Sequence, residues 1–293
     1  MENRLNLYAM TQKGFEVLKT LSEGARCNIN AVISARDQKV KNDHYEDIKV
    51  LCESVGIPFY DRAESGGVSA DFVLAVSWRW LIDSPSAQTI VFHDSLLPRY
   101  RGFNPLVSCL INGEPRIGVT ALLASDEYDK GNIIAQSSTE VSYPIKIQDA
   151  IELSIGNYRE LALTVAKMIE SGKTITGRPQ DERLASYSLW RDEEDYRIDW
   201  SQSADDIKRF VDAVGYPYHG ASAMMSGNLV RLLDADVIAD VKVENRTPGK
   251  VIFLENSRPV VTCGSGLLKI NELVDEATGN SLLPLSRFRT RFS

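Results

Sequence analysis

Thr89-Ile90-Val91-Phe92-His93-Asp94-Ser95-Leu96-Leu97-Pro98-Arg99-Tyr100-Arg101-Gly102 is the stretch on which the fold turns. Four β-branched or aromatic residues run straight into a histidine, and a turn-like segment with proline and glycine follows. This pattern predicts a strand with a polar, reactive side chain at its carboxyl end. Working outward, Phe72–Val76 is continuously apolar, as a strand buried on both faces is. Asn30–Ser34 and Leu5–Met10 read as two more strands. Between them lie helical patterns, one with Phe15, Val17, Leu18 and Leu21, ending near Gly24, and one with Ile48, Leu51 and Val55, stopped by Gly56 and Pro58. Strands alternating with helices of this length predict βαβ units and an α/β fold, a doubly wound, mostly parallel, Rossmann-like sheet. Ligands bind such sheets beyond the carboxyl ends of the strands, where His93 stands.

Farther along, Ile117–Leu123 and Ile133–Ala135 read as strands joined by the polar loop Ser125–Asn132. Ile151, Ile155, Tyr158, Ala162, Val165 and Ile169 then hold one helical face as far as Gly172. The residues from Lys173 to about Asp195 are charged and irregular. A short helix over 204–214 and small strands near 229–233, 251–254, 260–263 and 267–270 come next, with turn signals at Gly227–Asn228, Pro248–Gly249 and Asn256–Ser257. The expected organisation is an α/β domain over 1–180, a linker over 181–200 and a small, mainly β domain over 201–293.

The 293 residues are 43% hydrophobic and 25% charged, an ordinary globular balance. No apolar run is long enough for a membrane-spanning helix, and MENRLNLYAM lacks the pattern of a secretory signal. The four cysteines are far apart with no CxxC pair, which speaks against a zinc ribbon or disulfide framework and suits a reducing cytoplasm. With three histidines, no metal site is expected. The 33 Lys and Arg against 40 Asp and Glu give −7, so there is no broad basic field to draw the chain onto nucleic acid.

The unperturbed pKa of histidine, about 6.5, suits His93 to proton exchange near neutrality. Asp129 lies in the loop Tyr128-Asp129-Lys130-Gly131-Asn132, where Gly131 permits a tight turn that can hold the carboxylate. An aspartate beside a histidine fixes its tautomer. Taken alone, either element also reads as ordinary structure.

Together they resemble the formyltetrahydrofolate-dependent formyltransferases, which include methionyl-tRNA formyltransferase, glycinamide ribonucleotide transformylase and the sugar-nucleotide N-formyltransferases. His-x-Ser-Leu-Leu-Pro-x-Tyr-Arg-Gly over 93–102, then Gly118-Val119-Thr120 and the Asp129-x-Gly131 loop, carry the resemblance. Ile198-Asp199-Trp200, Pro217–Ala221 and Pro248–Ile252 extend it into the C-terminal part, which the resemblance makes OB-like. It implies transfer of a formyl group from N10-formyltetrahydrofolate, as co-substrate, to a primary amine, without a metal. His93 and Asp129 match the catalytic pair. Trp80, Leu81 and Ile82, then Ser95, Leu96, Leu97 and Pro98, and Ser125, Asp126 and Tyr128, would line the folate slot. The family usually has asparagine two residues before the histidine as an oxyanion donor, and here that residue is Val91.

Two amines compete. In Ala35–Lys49, which matches a basic tRNA-binding loop, Arg36, Lys39, Lys41 and Lys49 are nearly cancelled by Asp37, Asp43, Glu46 and Asp47. A nucleotide-linked amino sugar, of the kind used in lipopolysaccharide O-antigen biosynthesis, carries its charge on a compact diphosphate that a few arginines bind. Arg99, Arg101 and Arg191 are the expected cations, with Asn104 beside them and Tyr187 or Trp190 to stack on a base or sugar. The reading is therefore a cytoplasmic formyltransferase acting on small molecules, without nucleic acid or membrane and with a homodimer open. Methionyl-tRNA formyltransferase and a non-catalytic binding relative remain the alternatives.

Overall fold

The computed structural model describes residues 3–24, 28–38, 40–64, 68–285 and 287–293. These divide into two compact units. The first comprises Met1–Leu106, Pro115–Val141 and Ala150–Leu189, and the second Val107–Glu114, Ser142–Asp149 and Trp190–Ser293.

The first unit is built on β1 (Arg4–Ala9), α1 (Thr11–Gly24), β2 (Asn28–Ser34), α2 (Tyr45–Val55), β3 (Phe59–Asp61), β4 (Phe72–Val76) and β5 (Gln88–His93). The two-residue β6 (Arg101–Gly102) follows, then α3 (Pro105–Ile111), whose residues from Val107 on count with the second unit, and then β7 (Arg116–Leu123), β8 (Ile133–Glu140), α4 (Ile147–Glu170) and β9 (Tyr187–Ser188). Seven strands form one sheet in the order β3-β2-β1-β4-β5-β7-β8. The first five are mutually parallel, β7 pairs antiparallel with β5, and β8 pairs antiparallel with β7. The predicted Rossmann-like sheet is what the chain forms.

Alternation along the strands sorts the two faces. Leu7, Leu74, Ile90 and Phe92 join Val17, Leu18 and Leu21 of α1 and Tyr158, Ala162 and Val165 of α4 in the main core. Gly14 lets α1 lie close on the sheet, since a Cβ there would meet Ala9 at 3.0 Å. The other face carries a row in register across four strands, Tyr8, Ala75, Val91 and Leu122. Val91 packs there against the buried cluster of Leu97, Leu122 and Ile133. His93 is the next residue along β5 on this face.

The second unit contains α5 (Ala204–Ala213), β10 (Ala221–Met225), β11 (Asn228–Ile238), β12 (Val251–Glu255), β13 (Arg258–Thr262) and β14 (Leu267–Asp275). Its antiparallel sheet has the order β10-β11-β14-β13-β12. The terminal residues join its two edges. Ser293 exchanges main-chain hydrogen bonds with Met224, Val251 donates to Thr290 and Phe292 to Gly249. The sheet is thus bridged into a small closed barrel. Ser203 caps α5 by accepting from the Asp206 amide.

The expected linker over 181–200 is not one. Asp181 caps a 3₁₀ turn, β9 pairs with β6, and Ile198 donates to the Ser222 carbonyl. The division falls at Leu189/Trp190, and the second unit also takes in two segments from the middle of the chain. Inside that unit, Arg209 donates to the Ile111 carbonyl at 3.2 Å and Lys146 pairs with Asp234 at 2.8 Å. Such ties are polar and non-local, so they leave no hydrophobic period to read. The short β3 and α3, and β10, were also not anticipated.

Cys52, Cys109 and Cys263 are buried, and burial pushes the thiols of Cys52 and Cys263 up to about 12. None of these two is a ready thiolate nucleophile. Cys27 lies outside the described residues. Among the described residues no helix is long and apolar enough to cross a membrane.

Candidate active site

His93 is the last residue of β5 and is 7% exposed. Its Nε2 lies 2.8 Å from the Tyr100 carbonyl oxygen. A carbonyl only accepts, so Nε2 carries a hydrogen and Nδ1 is the nitrogen free to exchange a proton. Asp129 Oδ1 faces that Nδ1 at 3.4 Å. The other carboxylate oxygen accepts from the Gly102 amide at 2.7 Å. Both expected catalytic side chains therefore meet, one from the end of a strand and one from the loop between β7 and β8.

Each is held by local structure. Asp129 has φ +55°, a left-handed conformation uncommon for a residue with a side chain. Two residues on, a Cβ on Gly131 would fall 1.7 Å from the Leu123 carbonyl oxygen, so only glycine allows this loop. Gly102 has φ +98°, and a Cβ there would meet the Ser188 carbonyl at 2.6 Å. Beside His93, Asp94 binds Lys13 of α1 at 2.5 Å and accepts from the Tyr158 hydroxyl of α4. Burial raises the Asp94 pKa, but the Lys13 charge and the hydrogen bonds from Lys13 and Tyr158 outweigh it and hold the carboxyl below its ordinary value. The end of β5 is thereby tied to two helices.

Comparison with known proteins gives this site a family. Residues 66–152 match the family "Formyl transferase" and residues 191–282 match "Formyl transferase, C-terminal domain". Methionyl-tRNA formyltransferase of Geobacter metallireducens is 30% identical over 246 residues, which cover 77% of this chain and 75% of that protein. The chain belongs to the formyl transferase family. Formyl transfer from a folate donor is its class of reaction.

Among solved structures, this formyltransferase resembles WlaRD, a sugar 3N-formyl transferase crystallised with dTDP and 5-N-formyl-THF. The TM-score is 0.67 at 14% identity, covering 92% of this chain and 97% of that one. A variant of HypX from Aquifex aeolicus gives 0.64 at 21% identity, with 94% of this chain covered. The chain spans about half the length of HypX, 46%. At these identities the likeness concerns the fold.

The remaining expected residues of the formyltransferase divide by where their side chains go. Trp80 and Ile82 are half-buried and Leu81 is 92% exposed, on the loop leaving β4 beside the end of β5. Trp80 lies against Trp78 with ring centroids 5.1 Å apart, and Arg62 sits 4.3 Å over its ring. Ser95 is a correction, because its hydroxyl turns inward and donates to the Arg99 carbonyl at 2.7 Å. Leu97 is likewise buried, in the cluster under Val91, while Leu96 and Pro98 stay partly open. Ser125 and Asp126 are exposed, and Tyr128 tilts against Phe103 at 6.2 Å. Asn104 is half-buried with φ +47°.

Arg101 is the clearest correction. It was expected to grip a diphosphate, yet it is fully buried at 0% exposure. Its guanidinium is occupied by both oxygens of Glu182, by the Gln180 side chain and by the Tyr187 hydroxyl. Arg99 is exposed and lies over the Tyr100 ring at 5.1 Å, and Tyr187 is largely exposed. Trp190 and Arg191 belong to the second unit, where Arg191 Nε is buried with no partner among the described residues. As site residues, sequence reasoning passed over Gln180 and the Lys13–Asp94–Tyr158 group. Nothing marks a lone glutamine or lysine until the fold brings it to the site.

Proposed function

We propose that this formyltransferase moves the formyl group of N10-formyltetrahydrofolate onto the amino group of a nucleotide-linked amino sugar, with His93 and Asp129 handling the protons. The neutral amine attacks the formyl carbon, a C–N bond forms and the carbonyl electron pair moves to oxygen. Asp129 takes the proton that the amine nitrogen sheds. His93, protonated on both nitrogens, gives the growing negative charge on oxygen a cationic partner, and its Nδ1 proton passes to N10 as the C–N10 bond breaks. The proton taken by Asp129 restores the imidazolium across the 3.4 Å gap. No covalent enzyme intermediate is needed.

The observation that carries the choice of acceptor is the pairing of bases. Arg36 lies over Tyr45 and is bound by Asp43 and Glu46, and Asp37 in the same stretch holds Arg79. In the second unit Arg231 is held by Glu193 and Glu276, Arg246 by Asp240 and Lys208 by Asp212. Cations already neutralised by their own chain release few counterions from a polynucleotide, whereas a compact diphosphate needs only one or two arginines, with Arg99 of the first unit as the candidate. Trp80, Leu81 and Ile82 would receive the pterin, and Tyr187 of the same unit would stack on the nucleoside or sugar.

One observation favours methionyl-tRNA as the acceptor. Arg287, Arg289 and Arg291 are exposed near the end of the chain, and Arg291 pairs with Lys250 across the barrel closure. Incubation of the purified protein with N10-formyltetrahydrofolate and a dTDP-linked 3-amino sugar, read by mass spectrometry, tests the proposal. Formylated sugar nucleotide from wild type and none from His93→Asn is the expected result. Formylation of methionyl-tRNA alone would overturn the choice of acceptor.

A further inference from the structure

Gln180 is the residue that the sequence did not single out and that the site nonetheless depends on. Its Nε2 donates to the carbonyl of Asp129 at 2.6 Å and to that of Gly131 at 2.8 Å. Its Oε1 accepts from Arg101 at 3.1 Å and 2.8 Å. The orientation of the amide is not ambiguous, because guanidinium only donates and carbonyls only accept. A side-chain amide is the group that offers two donors on one atom and an acceptor on another, and here all are used.

The geometry points to Gln180 as the positioning residue of the catalytic loop, locking Asp129 in its left-handed conformation so that the carboxylate faces His93 Nδ1. Asp129 has φ +55°, a conformation that costs most residues with a side chain and that aspartate adopts more readily, and here attachments hold it. Two attachments impose it from opposite sides. The Gly102 amide holds the carboxylate, and Gln180 holds the carbonyl of the same residue. Both lead back to one anchor. Arg101 precedes Gly102 in β6, and its buried side chain grips Gln180 and Glu182. The strap that carries Gln180 is pinned to β8 by two main-chain bonds between Arg178 and Ile133 at 2.8 and 2.9 Å. Arg101, read from sequence as a ligand for phosphate, instead ties the Gly102 donor and the Gln180 donor into one frame around Asp129.

This inference rests on the proposed pairing of His93 with Asp129, and its test separates the two. The chain has three histidines, His44, His93 and His219, so the imidazole ¹⁵N spectrum of the full-length protein is small enough to assign with His93→Asn. Asp129→Asn should move the His93 Nδ1 resonance. Gln180→Glu keeps an acceptor for Arg101 but loses the donors to the loop, and Gln180→Met loses them without adding charge. Both should move His93 Nδ1 in the same direction as Asp129→Asn and at least half as far, with His44 and His219 unchanged. Glu182→Gln removes a charge partner of Arg101 but leaves the Gln180 amide, and should leave His93 where it is. A shift in Asp129→Asn with none in either Gln180 variant overturns the positioning role and leaves the pair standing. Shifts in His44 and His219 as well, or an equal shift in Glu182→Gln, would reduce Gln180 to general structural support. No shift even in Asp129→Asn would overturn the pair itself.

Discussion

At the scale of single residues, the closeness of His93 and Asp129 is legible because each stands in a short motif with a distinct local shape. A histidine ending an apolar strand, and an aspartate in a loop that only glycine can close, are both visible in the letters. What they touch was not. Gln180 reaches Asp129 from 51 residues away and Arg101 from 79, separations at which sequence shows no pattern. If the pair handles protons, His93→Asn or Asp129→Asn should lower kcat by about 10²–10⁴-fold with KM for both substrates nearly unchanged. Steady-state kinetics checks this, and a raised KM alone would make both residues binding groups. Val91 stands where the family's asparagine is expected, with Ala75 and Leu122 as its strand neighbours and Leu97 and Ile133 below it. Val91→Asn should therefore cost about 1–3 kcal/mol in denaturant unfolding and leave kcat unimproved, because the amide would enter an apolar cluster. A rise in kcat would mean that the natural site lacks a donor it can use. Asp94 sets a pH dependence. Its folded pKa lies below the ordinary value of about 3.9, so its contribution to stability is complete above that pH. It is lost as pH falls through the lower folded value. Unfolding midpoints followed from pH 6 downward should drop less steeply in Lys13→Met, where this linkage is weakened.

At the scale of elements, β1, β2, β4, β5, β7 and α4 were readable from periodicity, because long elements buried on one or both faces leave a regular apolar pattern. β3, α3 and the β6–β9 pair escaped because three, seven and two-residue pieces are shorter than any period. The segment read as a linker illustrates the same limit. Its charge is real, but Asp181, Glu182 and Ile198 spend their polar groups on specific partners and make it part of the fold. The barrel closure was invisible too, since it depends on a handful of main-chain bonds from the last four described residues. Phe292 fills the core at that seam, 1% exposed and 5.6 Å from the Trp200 ring. Gly249 receives it closely, since a Cβ there would fall 2.1 Å from the Phe292 carbonyl. Phe292→Ala should cost about 3–5 kcal/mol, read as a lower thermal midpoint. A change within experimental error would show that the seam is not part of the core.

At the scale of the whole molecule, charge is the ground on which the proposed acceptor rests, since the fold is shared by both classes of relative. The chain carries −7 overall, and in the 35–49 stretch Arg36 is held by Asp43 and Glu46. The arginines at 287, 289 and 291 are exposed. An acceptor bound through one diphosphate should lose affinity slowly with ionic strength, whereas a tRNA held by several phosphates should lose it steeply, with a slope of order one decade per decade of salt for each phosphate contacted. The most direct measurement is kcat/KM for formyl transfer to a dTDP-linked amino sugar and to methionyl-tRNA, side by side, between about 50 and 200 mM salt. Efficient transfer to the sugar nucleotide with a shallow salt dependence, and negligible transfer to the tRNA, is the predicted result. Efficient, steeply salt-dependent formylation of methionyl-tRNA, with the sugar nucleotide ignored, would contradict it.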